Sequence, residues 1–396
     1  MNTAAGESGA PGFRLSITAF LLSFGASWNA GNVGPIVSPL ADEFSVSLGA
    51  VGLLSGTLFF AGVALATFLG AELGRRVPLG IGLRMSCGLG ATGNAMCALS
   101  PVFAGLAAGR LIAGLALGAA FLFGGAFARA VGGARLIGVF GVGVTLGVAI
   151  ALALGSVLQD VGAEWRLAFA ISVLVALSPL PFLPATMPSV TPAAEPRAGL
   201  WRGALTSAPM WRLLMLAIAS FSVPLVVGAW LVHYLTADGM NASLAGGLGF
   251  LLFAVSAVFR DLSGRLLAGG AGAGRLSVSG CLVGAAGLAV LGLDASLGPA
   301  LAAVVLIGAG LSLPYALVYD EGERVIPDRP LGGLGVTIGG SNVLPIVVVP
   351  LVGAALAAGD GEAAWMGVAA LVVAAALLNA RPAVANSREP APARSA

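Results

Sequence analysis

Two arginines, Arg110 and Arg260, stand inside otherwise apolar stretches of this chain. A cation in such surroundings is costly unless something compensates it, and an anion does so best. Arg110 reads as an anion ligand, or as a cap for the ends of neighbouring helices. Arg260 reads first as one half of an ion pair with loop acids, structural or gating, and second as a contact to a bound anion. Asp261 follows Arg260 directly, and adjacent helical residues do not share a face, so Asp261 points to Arg265 or to another loop. The single histidine, His233, lies in Trp230-Leu231-Val232-His233-Tyr234. An imidazole titrates near neutrality and can carry a proton; the plainer reading is a ring at a membrane interface. Asn29 and Asn32 are three apart and share a helix face. With Asn342 they offer amides either to a ligand or to neighbouring helices. Tyr315 adds a phenol, and with Tyr319 it reads equally as part of an interfacial aromatic belt. No carboxylate falls at mid-depth in an apolar stretch; Asp42, Glu43, Asp160, Glu164, Asp238, Asp294, Asp360 and Glu362 all lie at edges. The chain holds no paired nucleophile and base, no metal-ligand cluster, no phosphate-binding loop and no basic face for nucleic acid. It therefore reads as a non-enzyme that needs no cofactor and takes a small molecule.

The elements that hold these residues are twelve apolar runs, at roughly 15–38, 48–71, 80–99, 102–123, 136–158, 167–184, 210–235, 243–264, 276–293, 298–318, 332–355 and 364–380. About 20 apolar residues in a helix cross about 30 Å of hydrocarbon with every backbone group bonded internally. With 58% hydrophobic and 9% charged residues, the chain lacks the charge that a soluble surface needs. The expected class is an all-α membrane protein with 12 transmembrane helices. All 19 basic residues are arginine, and 16 of them fall at the termini or at the junctions that follow even-numbered runs. Such loops stay cytoplasmic, which puts both termini there, in a multi-pass protein of the cell membrane. Residues 1–13 are small and polar and the first run exceeds a signal-peptide core, so no cleaved leader is expected. Cys87, Cys97 and Cys281 all sit within runs and are expected to be free thiols.

A polar segment with four prolines, 185–209, divides the chain into six runs (1–184) and six more (210–380), followed by a tail (381–396) that reads as disordered. The halves resemble each other. Gly143-Val144-Thr145-Leu146-Gly147 of run 5 recurs as Gly335-Val336-Thr337-Ile338-Gly339 of run 11, an offset of 192. Runs 2 and 8 agree at an offset of 194, with Gly52, Leu58, Phe59 and Gly70 matching Gly246, Leu252, Phe253 and Gly264. Parallel repeats of this kind place a ligand path between two pseudo-symmetric halves.

Three local patterns resemble the major facilitator superfamily of secondary transporters. They are Gly70-Ala71-Glu72-Leu73-Gly74-Arg75-Arg76 after run 2, Arg110-Leu111-Ile112-Ala113-Gly114-Leu115-Ala116-Leu117-Gly118 in run 4, and Trp165-Arg166-Leu167-Ala168-Phe169 at run 6. The Gly-Pro pair that drug/proton antiporters of the superfamily carry in run 5 is missing, since Val148 follows Gly147. Arg260-Asp261-Leu262-Ser263-Gly264-Arg265 is similar to the nitrate/nitrite porter branch, which implies Arg260 as an anion ligand; the second arginine of that branch, in run 2, is absent. Trp28-Asn29-Ala30-Gly31-Asn32-Val33-Gly34-Pro35 looks like the cyanate and organic-anion branches. The resemblance implies a secondary transporter, expected to be a monomer, that works by alternating access; two embedded cations and the lack of embedded acids favour a small, anionic solute, with efflux of a hydrophobic metabolite or drug as the alternative. Arg110, Asn29, Asn32, Arg260, Tyr315 and Asn342 are the expected substrate contacts. His233, Asp261, Arg75, Arg76 and Glu323 are the expected coupling or gating residues, Glu323 by pairing with arginines of the opposite half.

Overall fold

The computed structural model describes residues 12–187, 207–326 and 330–380. Helices occupy all twelve expected positions, and no strand occurs among the described residues. Ten of these spans are long and apolar enough to cross a membrane. The first and third fall short of that measure for chemical reasons. Span 1 is broken at Gly34-Pro35, where a 3-10 turn separates Phe13–Gly31 from Val37–Phe44. Its second piece ends on Phe44, six residues beyond the expected boundary, and is capped by Ser45 in the left-handed conformation (φ 51°). Span 3, Leu79–Leu99, is diluted by Arg84, Ser86 and Asn94. Spans 4 and 5 turn into each other at Gly133, whose φ of 54° a side chain would resist. Most of the interhalf segment and the tail lie outside the described residues.

Three spans contain a wide, π-helical turn, at Leu53–Leu58 of span 2, Ala120–Gly124 of span 4 and Ile218–Ser222 of span 7. Such turns shift the hydrogen-bond ladder and leave backbone groups for other partners.

The halves meet mainly along two seams, span 2 against span 11 and span 5 against span 8, and span 1 also packs on span 7. The repeat relates the two seams, because Gly52 lies on one and Gly246, its counterpart at the 194-residue offset, lies on the other. At one end both seams are interlocked. A Cβ on Gly52 would come within 2.8 Å of the Pro350 Cα, one on Gly353 within 2.9 Å of the Leu48 carbonyl, and one on Gly246 within 2.9 Å of the Leu152 carbonyl. At the other end, Gly138 and Gly141 of span 5, Gly264 of span 8 and Gly335 of span 11 face open space, and Gly339 meets Thr67 only at an ordinary 3.5 Å. The halves thus meet at the face that carries Glu43 and Asp160, and diverge toward the face where the chain enters span 1 and leaves span 12. Between them is a cleft. Its roof is an apolar cluster of Phe59, Phe60, Val63, Ala113 and Leu117 from the first half, with Leu225 and Ile346 from the second packed against it.

Three polar contacts hold the sealed end. The Asp160 carboxylate accepts from the free Ala242 and Ser243 N–H groups at the start of span 8, at 3.0 and 2.7 Å. Ser38 Oγ and His233 Nδ1 lie 2.9 Å apart across the halves. Thr57 donates to the Ile346 carbonyl at 2.5 Å. That carbonyl is available because Pro350, four residues on, has no N–H to give it. Pro345 frees the Ser341 carbonyl in the same way, and Ser222 donates to it at 2.6 Å. The repeat is visible at atomic level as well: Thr145 donates to Gly141 and Thr337 to Gly333, each back one turn.

Candidate functional site in the cleft

The structure separates the two embedded arginines. Arg110 is 1% exposed and lies above the roof, with its guanidinium carbon 4.4 Å from the Phe59 ring centroid. All three of its nitrogens are bonded within the first half. Nη2 donates to the Asn29 carbonyl at 2.7 Å, Nη1 to Asn32 Oδ1 at 3.2 Å and Nε to the Leu54 carbonyl at 3.3 Å. The reason lies in local backbone. The ladder of span 1 ends with Asn32 N–H on the Trp28 carbonyl, which leaves the Asn29 carbonyl unclaimed. Leu54 belongs to a π-helical turn. A cation answers both. The amides extend the network: Asn94 donates to Asn29 Oδ1 at 2.8 Å, Asn32 donates to Ser172 at 3.1 Å, and Trp28 Nε1 donates to Ser172 at 2.8 Å. Arg110, Asn29 and Asn32 are thus brought together, as their types suggest, but in a buried core that spans 1, 2, 3, 4 and 6 share, closed off from the cleft by Phe59. In this conformation their hydrogen-bonding capacity goes to one another and to broken helices. Asn94 and Ser172 are members that sequence reasoning missed. Asn94 carried a signal, an amide in an apolar span; Ser172 carried none.

Arg260 is placed otherwise. Span 8 runs to Ala268, so Arg260 lies eight residues, about 12 Å, from the helix end, deeper than its expected place near the terminus. It is half-buried, and its guanidinium carbon stands 4.7 Å from the Tyr315 ring centroid and 5.6 Å from that of Phe221. Tyr319 completes the group, its ring centroid 5.0 Å from Tyr315 and 6.0 Å from Phe221. The Nε is buried without a hydrogen-bond partner. Two neighbouring acids are engaged elsewhere. Asp261 bonds Arg265 at 2.7 Å, as its spacing suggests, and Asp320 bonds Arg324 at 2.8 Å. Among the described residues Arg260 makes no ion pair; its neighbours are rings. Tyr315 and Tyr319 belong to this cluster rather than to an interfacial belt. Phe221 lies one turn below the roof residue Leu225, and Asn342 one turn below Ile346, which sets the cluster and that amide just beneath the roof. Asn342 donates to the Ile338 carbonyl at 3.2 Å. Phe221 was missed because a phenylalanine in an apolar run carries no signal of its own.

The sequence profile of the Major Facilitator Superfamily matches residues 19–333. The chain belongs to the major facilitator superfamily. No curated protein sequence matches it. Solved major facilitator structures share the architecture at low identity. A D-xylose–proton symporter superposes with a TM-score of 0.76 at 17% identity, covering 93% of this chain and 97% of that one. A bacterial homologue of the human lysosomal transporter Spinster, in an inward-facing and unoccupied conformation, gives 0.73 at 18%, covering 94% and 97%. A nucleoside transporter, NupG, gives 0.72 at 16%, covering 92% and 98%. The superfamily is one of solute transporters, and this chain is a multi-pass membrane protein with that fold.

The superfamily patterns acquire physical content here. Arg110 is the buried cation described above, and Gly118 lets span 4 approach span 2, since a Cβ there would come within 2.9 Å of the Val63 carbonyl. The Trp165-Arg166 pair grips Glu43 at the sealed face. Arg166 donates to its two oxygens at 2.6 and 3.1 Å, and Trp165 Nε1 donates as well. These bonds, Arg166 first and Trp165 second, hold the Glu43 carboxyl below its ordinary value of 4.5. His233 is neither on the cleft nor at a bare interface; it packs edge-on to Trp230 and bridges to Ser38. Arg76 is exposed at the end of span 2. The side chains of Arg75 and Glu323 lie outside those described.

Proposed function

We propose that this protein is a secondary transporter for a small anionic solute, which binds in the cleft and crosses by alternating access. One observation carries the reading: Arg260 presents a guanidinium beneath the roof, on the cleft side, with no carboxylate paired to it among the described residues. A buried or half-buried charge left uncompensated is expensive, and a bound anion removes that cost. The two seams supply the moving parts. Residues 1–184 and 210–380 act as the rocking halves, 185–209 as the connection between them, and a single chain contains both walls of the cleft. Arginine placement supports a cytoplasmic location for both termini, in the cell membrane. On that reading the conformation described opens to the cytoplasm. Arg110 serves as a positioning residue that fixes the break in span 1, and His233, with Ser38, Thr57 and Asp160, belongs to the outer gate. The apolar roof favours a second reading, efflux of a hydrophobic metabolite.

The two separate in one experiment on reconstituted protein. Uptake or counterflow of anions is expected in the native protein and absent in Arg260→Gln. Anion movement unchanged in that variant, or movement of lipophilic compounds alone, overturns the anion reading.

A further inference from the structure

We infer that the cleft site takes a planar monocarboxylate with an aromatic or conjugated body. This rests on the anion reading above and narrows it. Three features of the Arg260 cluster select this class. First, one guanidinium faces the site and no second cation joins it from the described residues of spans 7, 10 and 11 in the cluster, so a single negative charge is matched. Second, Arg260 already lies over an aromatic face, at 4.7 Å from the Tyr315 centroid. A guanidinium held by its face keeps its edge N–H groups in plane and free for a two-pronged bond to a carboxylate. The two terminal nitrogens of Arg260 offer that pair, while its unpartnered Nε is buried. Third, the surrounding surface is made of rings. Phe221 and Tyr315 are 5.3 Å apart with planes inclined at 46°, and Tyr315 and Tyr319 are 5.0 Å apart at 52°. Rings inclined in this way offer further edge-to-face and offset contacts to a flat guest.

A small inorganic anion fits the same place poorly. It would shed its water against three rings and an apolar roof and recover one cation and a few hydroxyl or amide donors. A dicarboxylate would leave one charge unmatched. A flat organic monoanion loses little hydration on its body, gains ring contacts along it, and spends its one charge on Arg260.

The test uses the purified protein and measures binding by calorimetry to benzoate, cyclohexanecarboxylate, phthalate and nitrate, with tetraphenylphosphonium and benzamide as a lipophilic cation and a neutral compound. The expected order has benzoate at least tenfold tighter than its saturated counterpart, with phthalate and nitrate weaker still. Arg260→Gln is expected to abolish benzoate binding, and Arg260→Lys to weaken it while retaining some. Phe221→Leu and Tyr315→Leu are expected to bring the benzoate-to-cyclohexanecarboxylate ratio close to one. Comparison of the unliganded thermal midpoints distinguishes lost binding from lost folding. Equal affinity for the saturated and aromatic acids in the native protein, or a preference for nitrate or phthalate, overturns the aromatic monocarboxylate and leaves the anion reading standing. Binding only of lipophilic cations or neutral compounds, undiminished in Arg260→Gln, overturns both.

Discussion

At the scale of single residues, the two embedded arginines show how the same side chain reaches opposite ends. Arg110 is consumed by its surroundings; Arg260 is not. Replacing Arg110 with alanine leaves the Asn29 and Leu54 carbonyls and the Asn32 amide oxygen without their donor in a buried place. The expected cost is on the order of 3 kcal/mol, read as a clear fall in the thermal midpoint of the purified protein. An unchanged midpoint would show that the network is dispensable. Glu43 gives a pH dependence. Its carboxyl is held below the ordinary 4.5 by Arg166 and Trp165, so the folded state gains from its ionisation. That gain is complete above about 4.5 and is lost as pH falls through the lower folded value. The thermal midpoint should therefore drop on acidification below that point, and Glu43→Gln should flatten the drop. Little of this was legible beforehand. The sequence marks Arg110 as unusual, yet its main partners are backbone carbonyls, which have no signature in residue type. Arg260, Phe221, Tyr315 and Tyr319 converge only after three spans have packed.

Elements were far more legible, because hydropathy accumulates over twenty residues and survives local error. All twelve spans stand where their apolar runs predict. The departures have local causes: the Gly34-Pro35 break carries span 1 past its expected end, and span 8 continues through Arg265 to Ala268 because a surface helix tolerates charge. What the runs could not disclose is how prolines serve the seams. Pro350 frees a carbonyl that the opposite half then uses, so a residue that weakens span 11 strengthens its contact with span 2. Thr57→Val keeps the shape and deletes that bond. A loss of about 1 kcal/mol from the sealed state would raise the population open at the Glu43 face about fivefold. Cysteine labelling at that face should rise accordingly, and labelling equal to the native protein would remove Thr57 from the gate.

At the scale of the whole molecule, the repeat read from two pairs of spans becomes two symmetry-related seams, interlocked at one face and parted at the other. The separation into halves was legible from matching glycines; the direction in which they part was not, because glycine spacing is alike at both ends. The position of the roof has an electrical meaning. With the cleft open to one side, the membrane potential falls mainly across the roof and the sealed end, and Arg260 sits at the potential of the open side. When the halves rock, the barrier passes to the other side of Arg260, and its charge changes potential without travelling far. An empty carrier then moves one positive charge through the field, worth about 2.3 kcal/mol per 100 mV, whereas a carrier holding a monoanion moves none. On the proposed orientation, with both termini cytoplasmic, an inside-negative potential holds the empty protein in the conformation described here and leaves the loaded one indifferent. Voltage should therefore act on the return of the empty carrier, so that net transport in proteoliposomes depends on potential while exchange of anion for anion does not. Equal voltage dependence of the two modes would place the moving charge elsewhere than Arg260.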